Sequence, residues 1–116
     1  MSTEVSIDSY FTDKSTTVRE IYDRLLTRLG EIGPVMEEAK PTAIHLVNTS
    51  ALAGVAARKN FLLLNIKSNR KLENPRIFKS ETFSGSRFHH QIKLTQVADI
   101  DDELMDWLRT AYALSA

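Results

Sequence analysis

The sequence predicts an α+β domain in two layers: an antiparallel meander sheet of five to six strands, flanked by an N-terminal and a C-terminal helix. Three observations carry that expectation. Apolar residues recur at helical spacing near each end of the chain, and between residues 35 and 94 the period falls to two. The links between the two-period segments are short, which suits antiparallel neighbours and leaves no room for the long crossovers of a parallel sheet. Finally, Phe61-Leu62-Leu63-Leu64-Asn65-Ile66 is apolar on both faces, so it asks for a place inside the sheet.

Each element follows from a local pattern. Thr17-Val18-Arg19-Glu20 fits a capping box, with a hydroxyl at the N-cap and a carboxylate three residues on. Val18, Ile21, Tyr22, Leu25, Leu26, Leu29 and Ile32 then form one apolar stripe. Gly33-Pro34 closes that helix, because glycine suits the cap and proline cannot continue it; Gly30, inside the last turn, allows an earlier stop. Residues 35–39 read as a short polar edge strand, broken at Lys40-Pro41. A stronger strand follows over 42–48, then a turn at Thr49-Ser50 and a strand of small residues over 51–57. Arg58-Lys59-Asn60 turns the chain into the strand over 61–66, and residues 68–75 form the longest loop, which carries Arg70 and Lys71. Strands over 76–83 and 87–94 are joined by Ser84-Gly85-Ser86, with a glycine available for a positive φ. Along the last strand Phe88, His90, Ile92 and Leu94 share one face, and Arg87, His89, Gln91 and Lys93 share the other. Asp101 is placed to cap the closing helix, with Ile100 and Met105 in staple positions and Asp102 and Glu103 suited to the helix dipole. Leu104, Trp107, Leu108, Ala111 and Leu114 form its stripe.

With 116 residues the chain is one domain, 1–116, in which residues 1–14 read as a partly ordered arm pinned to the core by Phe11. A chain of this size buries roughly two-thirds of its unfolded surface, enough to fold without a disulfide or a metal. Cysteine is absent, which excludes thiolate metal sites and a cysteine nucleophile and fits a reducing compartment. The start, Met1-Ser2-Thr3-Glu4-Val5, lacks the basic residues and apolar run of a signal peptide. No apolar run approaches the ~20 residues that span a bilayer. A cytoplasmic protein without a membrane contact is expected.

Net charge is zero, but its distribution is uneven. Residues 1–57 carry a balance of −3, residues 58–93 one of +7, and residues 94–116 one of −4. A basic middle between acidic ends attracts an anion, unless the ends neutralise it within the fold.

Two stretches carry a resemblance. One is Phe88-His89-His90-Gln91-Ile92-Lys93-Leu94, followed by Ala98-Asp99-Ile100-Asp101-Asp102-Glu103-Leu104 and Trp107-Leu108-Arg109-Thr110-Ala111-Tyr112; the other runs from Tyr22-Asp23-Arg24-Leu25-Leu26 to Gly33-Pro34-Val35. Together they resemble a bacterial family of small domains of unknown function, some members of which are catalogued as predicted transport proteins. The likeness spans residues from about 8 to 113. It implies an α+β domain and brings no catalytic residues with it. Lys40-Pro41-Thr42 departs from the family pattern, which has a small polar residue after the lysine.

Chemistry-bearing residues are few. His89 and His90 are adjacent on a strand, so they point to opposite faces and cannot chelate one metal. His90, beside Phe88 and Ile92, reads as a core histidine; His89, beside Arg87 and Lys93, reads as a solvated one or as part of a cationic surface. His45 lies between Ile44 and Leu46 and is ambiguous. Ser84-Gly85-Ser86 lacks the setting of a nucleophile elbow, and no glycine loop opens a helix as a phosphate cradle. The acids Asp99, Asp101, Asp102, Glu103 and Asp106 are explained by a helix start. No metal and no cofactor is expected.

If both helices pack on one side of the sheet, the other side keeps an apolar centre of Phe61 and Leu63. Its rim would be Arg58, Arg76, Arg87, His89 and Lys93. Alternatively a helix, or the arm with Phe11, covers that side. Three readings stay open. The first is a non-enzymatic binding domain for a small anionic ligand, a protein partner or a second copy. The second is a nucleic-acid-associated module using the basic stretch 58–93. The third is an enzyme pairing His45, His89 or His90 with a carboxylate.

Overall fold

An apolar stripe of Val18, Ile21, Tyr22, Leu25 and Leu29 drives the first helix, α1 (Thr16–Ile32), onto the rest of the chain. In the computed structural model, which describes residues 7–84 and 87–115, that stripe is fully buried. The helix starts earlier than the capping box implies. Ser15 is the N-cap and makes no side-chain capping bond; its N–H instead donates to Lys59 O at 2.9 Å. Tertiary anchoring therefore stands in for the local cap. At the other end Gly30 stays inside the helix, and the N–H of the C-cap Gly33 donates to Leu29 O. Glycine is needed at 33 for space: a Cβ there would collide with the Tyr112 hydroxyl oxygen. Ahead of α1 a 3-10 turn, Ile7–Phe11, lays the Phe11 ring 5.1 Å from that of Tyr22.

Six strands follow: β1 (Met36–Ala39), β2 (Ile44–Val47), β3 (Ala51–Ala57), β4 (Leu62–Ser68), β5 (Ile77–Ser84) and β6 (Arg87–Leu94). They form one antiparallel sheet in the order β1-β2-β3-β4-β6-β5. The first four make the expected meander. The last hairpin is inserted the other way round, so β6 and not β5 pairs with β4. Burial gives the reason. His90, Ile92 and Leu94 of β6 are buried and match Ile66, Leu64 and Leu62 across the ladder. Lys79, Ser80, Glu81 and Thr82 of β5 are exposed and suit an edge. The loop after β4 carries the chain past the space that β6 fills. The hairpin tip, with Gly85, lies outside the described residues.

After a 3-10 turn, Val97–Asp99, the chain closes with α2 (Asp102–Leu114). Asp101 caps it, its carboxylate accepting the Leu104 N–H at 3.0 Å, and Ile100 and Met105 are both buried beside it. Burial alone would raise the Asp101 carboxyl, but the Leu104 N–H and the Arg76 guanidinium outweigh it and hold the group below the usual carboxylate range. The Tyr112 hydroxyl donates to Pro34 O at 2.9 Å and so ties α2 to the end of α1.

Both helices lie on the same side of the sheet. Their stripes share one core with Ile44, Leu46, Val55, Leu62, Leu64, Ile66, Ile92 and Leu94. The result is two layers, helices over sheet, with the other sheet face turned away from both. Among the described residues, no helix is long and apolar enough to cross a membrane.

Candidate functional site

Alternation along β4 decides what the helix-free face displays. Leu62, Leu64, Ile66 and Ser68 are buried under the helices, so Leu63, Asn65 and Lys67 point the other way and are half-buried. Register then builds rows across the sheet. Glu38 pairs with His45, His45 with Gly54, Gly54 with Asn65, Asn65 with Gln91, and Gln91 with Lys79. This row is polar from edge to edge except at Gly54. Two residues toward the C-terminal end of β4, Lys67 lies opposite His89, which lies opposite Glu81. On the other side of the polar row Ala56, Leu63 and Lys93 form an apolar row with a cationic end.

Two adjoining recesses lie along this face. One, of about 140 Å³, is bordered by Ala51, Lys67 and His89; the other, of about 430 Å³, reaches Arg58, Leu63 and Gln91. His45, Gly54 and Asn65 line both. Gly54 makes the low point. A Cβ built there meets nothing closer than Asn65 Cβ and His45 Cδ2, both at 4.0 Å, so a side chain would fit but would occupy the floor. A glycine inside a strand often marks a place where a ligand approaches the backbone. Asn65 adds a second oddity: its Oδ1 is enclosed by protein and accepts no hydrogen bond from any described group.

Cations gather at both ends of the recesses. At one end the Lys67 ammonium donates to Ser50 Oγ at 3.3 Å, and Ser50 is itself fixed by its N–H to Ser115 O at 3.0 Å. Burial, and then the neighbouring Arg87 guanidinium, push the Lys67 ammonium below its ordinary value. Among the described residues neither Lys67 nor Arg87 forms an ion pair. Among the described residues, the carboxylates of this face, Glu38 and Glu81, are held by Lys40 at 3.4 Å and Lys79 at 3.2 Å. At the other end the Lys93 ammonium sits 4.5 Å from the centre of the Phe61 ring, with Arg58 in the turn beside it.

The structure therefore brings Arg58, Phe61, Leu63, Arg87, His89 and Lys93 to one face. Arg76 is not with them. It lies on the helix side, its guanidinium donating to Asp101 Oδ1, Glu103 Oε1 and the Asp99 carbonyl and resting over the Trp107 ring. The reason is its position before β5, next to the acidic start of α2. His90 is the expected core histidine, fully buried, its Nε2 accepting the Leu72 N–H at 3.3 Å and its Nδ1 2.8 Å from Ser80 Oγ. His45 resolves onto the open face. The acids of α2 serve caps and ion pairs, and among the described residues no cluster of three metal-binding side chains forms.

Gly54, Asn65 and Lys67 are residues of this candidate site that sequence reasoning missed. The signal existed: Leu63, Asn65 and Lys67 share a face by alternation, but a strand ended at residue 66 hides Lys67. Comparison with curated proteins and with solved structures gives no match. A family model described as a domain of unknown function (DUF5655) matches residues 7–115, nearly the whole chain, and this protein belongs to that family.

Proposed function

We propose that this is a non-enzymatic binding domain whose helix-free sheet face takes a small anionic ligand, with the anion held between Lys67 and Arg87. The observation that carries the reading is the pairing of two neighbouring cations, one of them partly desolvated, that form no ion pair among the described residues. Like charges brought together cost energy that a bound anion returns. The trough over Gly54, with the Asn65 and Gln91 amides along it, supplies hydrogen-bonding groups for the rest of the molecule.

An enzyme reading has less support. His45 on β2 and His89 on β6 border the same recess, but their strands stand three spacings apart, about 14 Å at the backbone. The register neighbours that could orient them, Glu38 and Glu81, are engaged by lysines. Nucleic acid fits poorly as well. Phe88 shares the inward face with buried His90, Phe61 lies under the Lys93 ammonium, and the exposed Phe78 stands apart on the edge strand β5, so among the described residues no row of bare rings stands ready for stacking.

Inorganic phosphate is a suitable probe. Titrated into the labelled protein at constant ionic strength, it should move the amide resonances of Lys67, Arg87 and Ser50 along a saturating curve. The Lys67→Gln, Arg87→Gln double variant should lose that curve while keeping the dispersed spectrum of a folded chain. Identical curves in both proteins, or no response in either, would count against the reading.

A further inference from the structure

The cations of the open face stand in two groups, and the distance between the groups is set by the ladder. Lys67 lies opposite His89, and Leu63 lies opposite Lys93. Four residues separate the two rows on either strand, a span of about 13 Å at strand rise. The far group, Arg58 and Lys93, also lacks an ion pair among the described residues. The Phe61 ring holds the Lys93 ammonium in place without neutralising it. Between the two groups no cation projects from β4. The Asn65–Gln91 row lies there, next to the glycine floor.

A single small anion would use one end and leave the other repelling nothing but solvent. From this spacing we infer that the ligand is an elongated dianion, with acid groups at its ends about 13–20 Å apart and a slender middle that lies in the trough over Gly54. The inference rests on the anion-binding reading above and adds the shape and charge pattern of the ligand. Slenderness follows from the floor. The trough is deepest where glycine removes a side chain, and a chain or a flat group seated there reaches the Asn65 and Gln91 amides. The Asn65 amide holds an unused acceptor. Its Oδ1 makes no hydrogen bond, so turning the amide to offer donor or acceptor breaks none on that side.

The test uses linear α,ω-dicarboxylates of increasing length against monocarboxylates of matched length, followed by calorimetry and amide shifts on the whole chain at fixed ionic strength. Affinity should climb with length and peak where the extended diacid spans the two cation groups. There it should exceed the matched monoacid by about tenfold or more, because the second contact is intramolecular. Arg58→Gln with Lys93→Gln should reduce the best diacid to the monoacid level while the shifts at Lys67 persist, and Gly54→Leu should block the long diacids alone. Binding that is flat with length, with shifts confined to Lys67 and Arg87, would overturn the two-ended ligand and leave the anion site standing. Absence of any binding by mono- or dicarboxylates and by phosphate would remove both. A short single-stranded oligonucleotide bound more tightly than every diacid would overturn the small-molecule class.

Discussion

The two faces of one sheet are built to different rules, and β4 supplies residues to both. On the helix side Leu62, Leu64 and Ile66 are buried to the last few square ångströms, and three arginines there meet acids in pairs: Arg19 with Asp8 and Asp23, Arg28 with Glu31 and Asp102, Arg76 with Asp101 and Glu103. On the open side Lys67 and Arg87 repel one another, Asn65 encloses an unpartnered oxygen, and Gly54 gives up a side chain in mid-strand. The helix side obeys the rules for stability. The open side breaks three of them within three neighbouring rows, and local departures of that kind concentrate where a protein does something other than fold.

The sharpest contrast is between neighbours on β4. Leu64→Ala should cost about 3–4 kcal/mol, since a fully buried leucine leaves both a lost transfer term and a cavity. Leu63→Ala, one residue away and half-buried on the open face, should cost about 1 kcal/mol or less. Denaturant titration of the two variants reads the difference directly, and equal losses would mean that something covers both faces alike.

Next in size is His90. Burial holds its imidazole below the ordinary histidine value, with the neighbouring His89 and the Lys71 ammonium adding to the effect and the Arg70 carbonyl opposing it. The folded state thus refuses a proton that the unfolded chain accepts near pH ~6.5. The stability this contributes is complete above that pH and is lost as pH falls toward the depressed folded value. His90→Gln should cost about 1–3 kcal/mol at neutral pH, because the Leu72 N–H loses its acceptor. The same variant should flatten the stability profile between pH 7.5 and 5.5, which guanidinium titrations at several pH values would measure. An unchanged slope would place the proton elsewhere.

How much of this was legible depends on the range over which each signal acts. The stripes of α1 and α2, the Asp101 cap and the inward position of His90 are set within a few residues, and the sequence displays them plainly. Strand order is not local. That β6 rather than β5 lies against β4 follows from matching His90, Ile92 and Leu94 to Ile66, Leu64 and Leu62, a comparison no single segment reveals. Arg76 illustrates the same limit. Sequence placed it among basic residues, but its partners are on α2, more than twenty residues on. The missing capping box at Thr17 fails for a related reason, since Lys59 O takes the Ser15 N–H from across the chain. Gly54, Asn65 and Lys67 came together only through register.

Two glycines then sharpen the comparison by changing stability in opposite directions. Gly33→Ala drives a methyl group against the Tyr112 hydroxyl and ring, where the bond to Pro34 O leaves little freedom to yield, and should cost about 1–2 kcal/mol. Gly54→Ala meets only ordinary contacts and removes backbone freedom from the unfolded chain, so it should stabilise by about 0.5–1 kcal/mol. Thermal unfolding of the two variants should move in opposite directions. A stabilised Gly54→Ala protein would show that glycine is not required there by the fold, which leaves the open trough as its remaining use.

The smallest expected change is the most discriminating. Lys67→Gln removes a cation that is partly desolvated, lies near Arg87 and pairs with no acid among the described residues, so stability should shift by no more than about 0.5 kcal/mol, and upward if at all. Arg76→Gln, on the opposite face, gives up two ion pairs, a carbonyl bond and the Trp107 ring, and should cost about 1 kcal/mol after solvent screening of its half-exposed acids is allowed for. Added salt should narrow the Arg76 deficit and slightly stabilise wild type relative to Lys67→Gln, because screening weakens an attraction in one case and a repulsion in the other. Denaturation curves at low and high salt would separate the two signs. If Lys67→Gln instead cost as much as Arg76→Gln, Lys67 would be a structural cation with a partner, and the case for an anion between Lys67 and Arg87 would lose its footing.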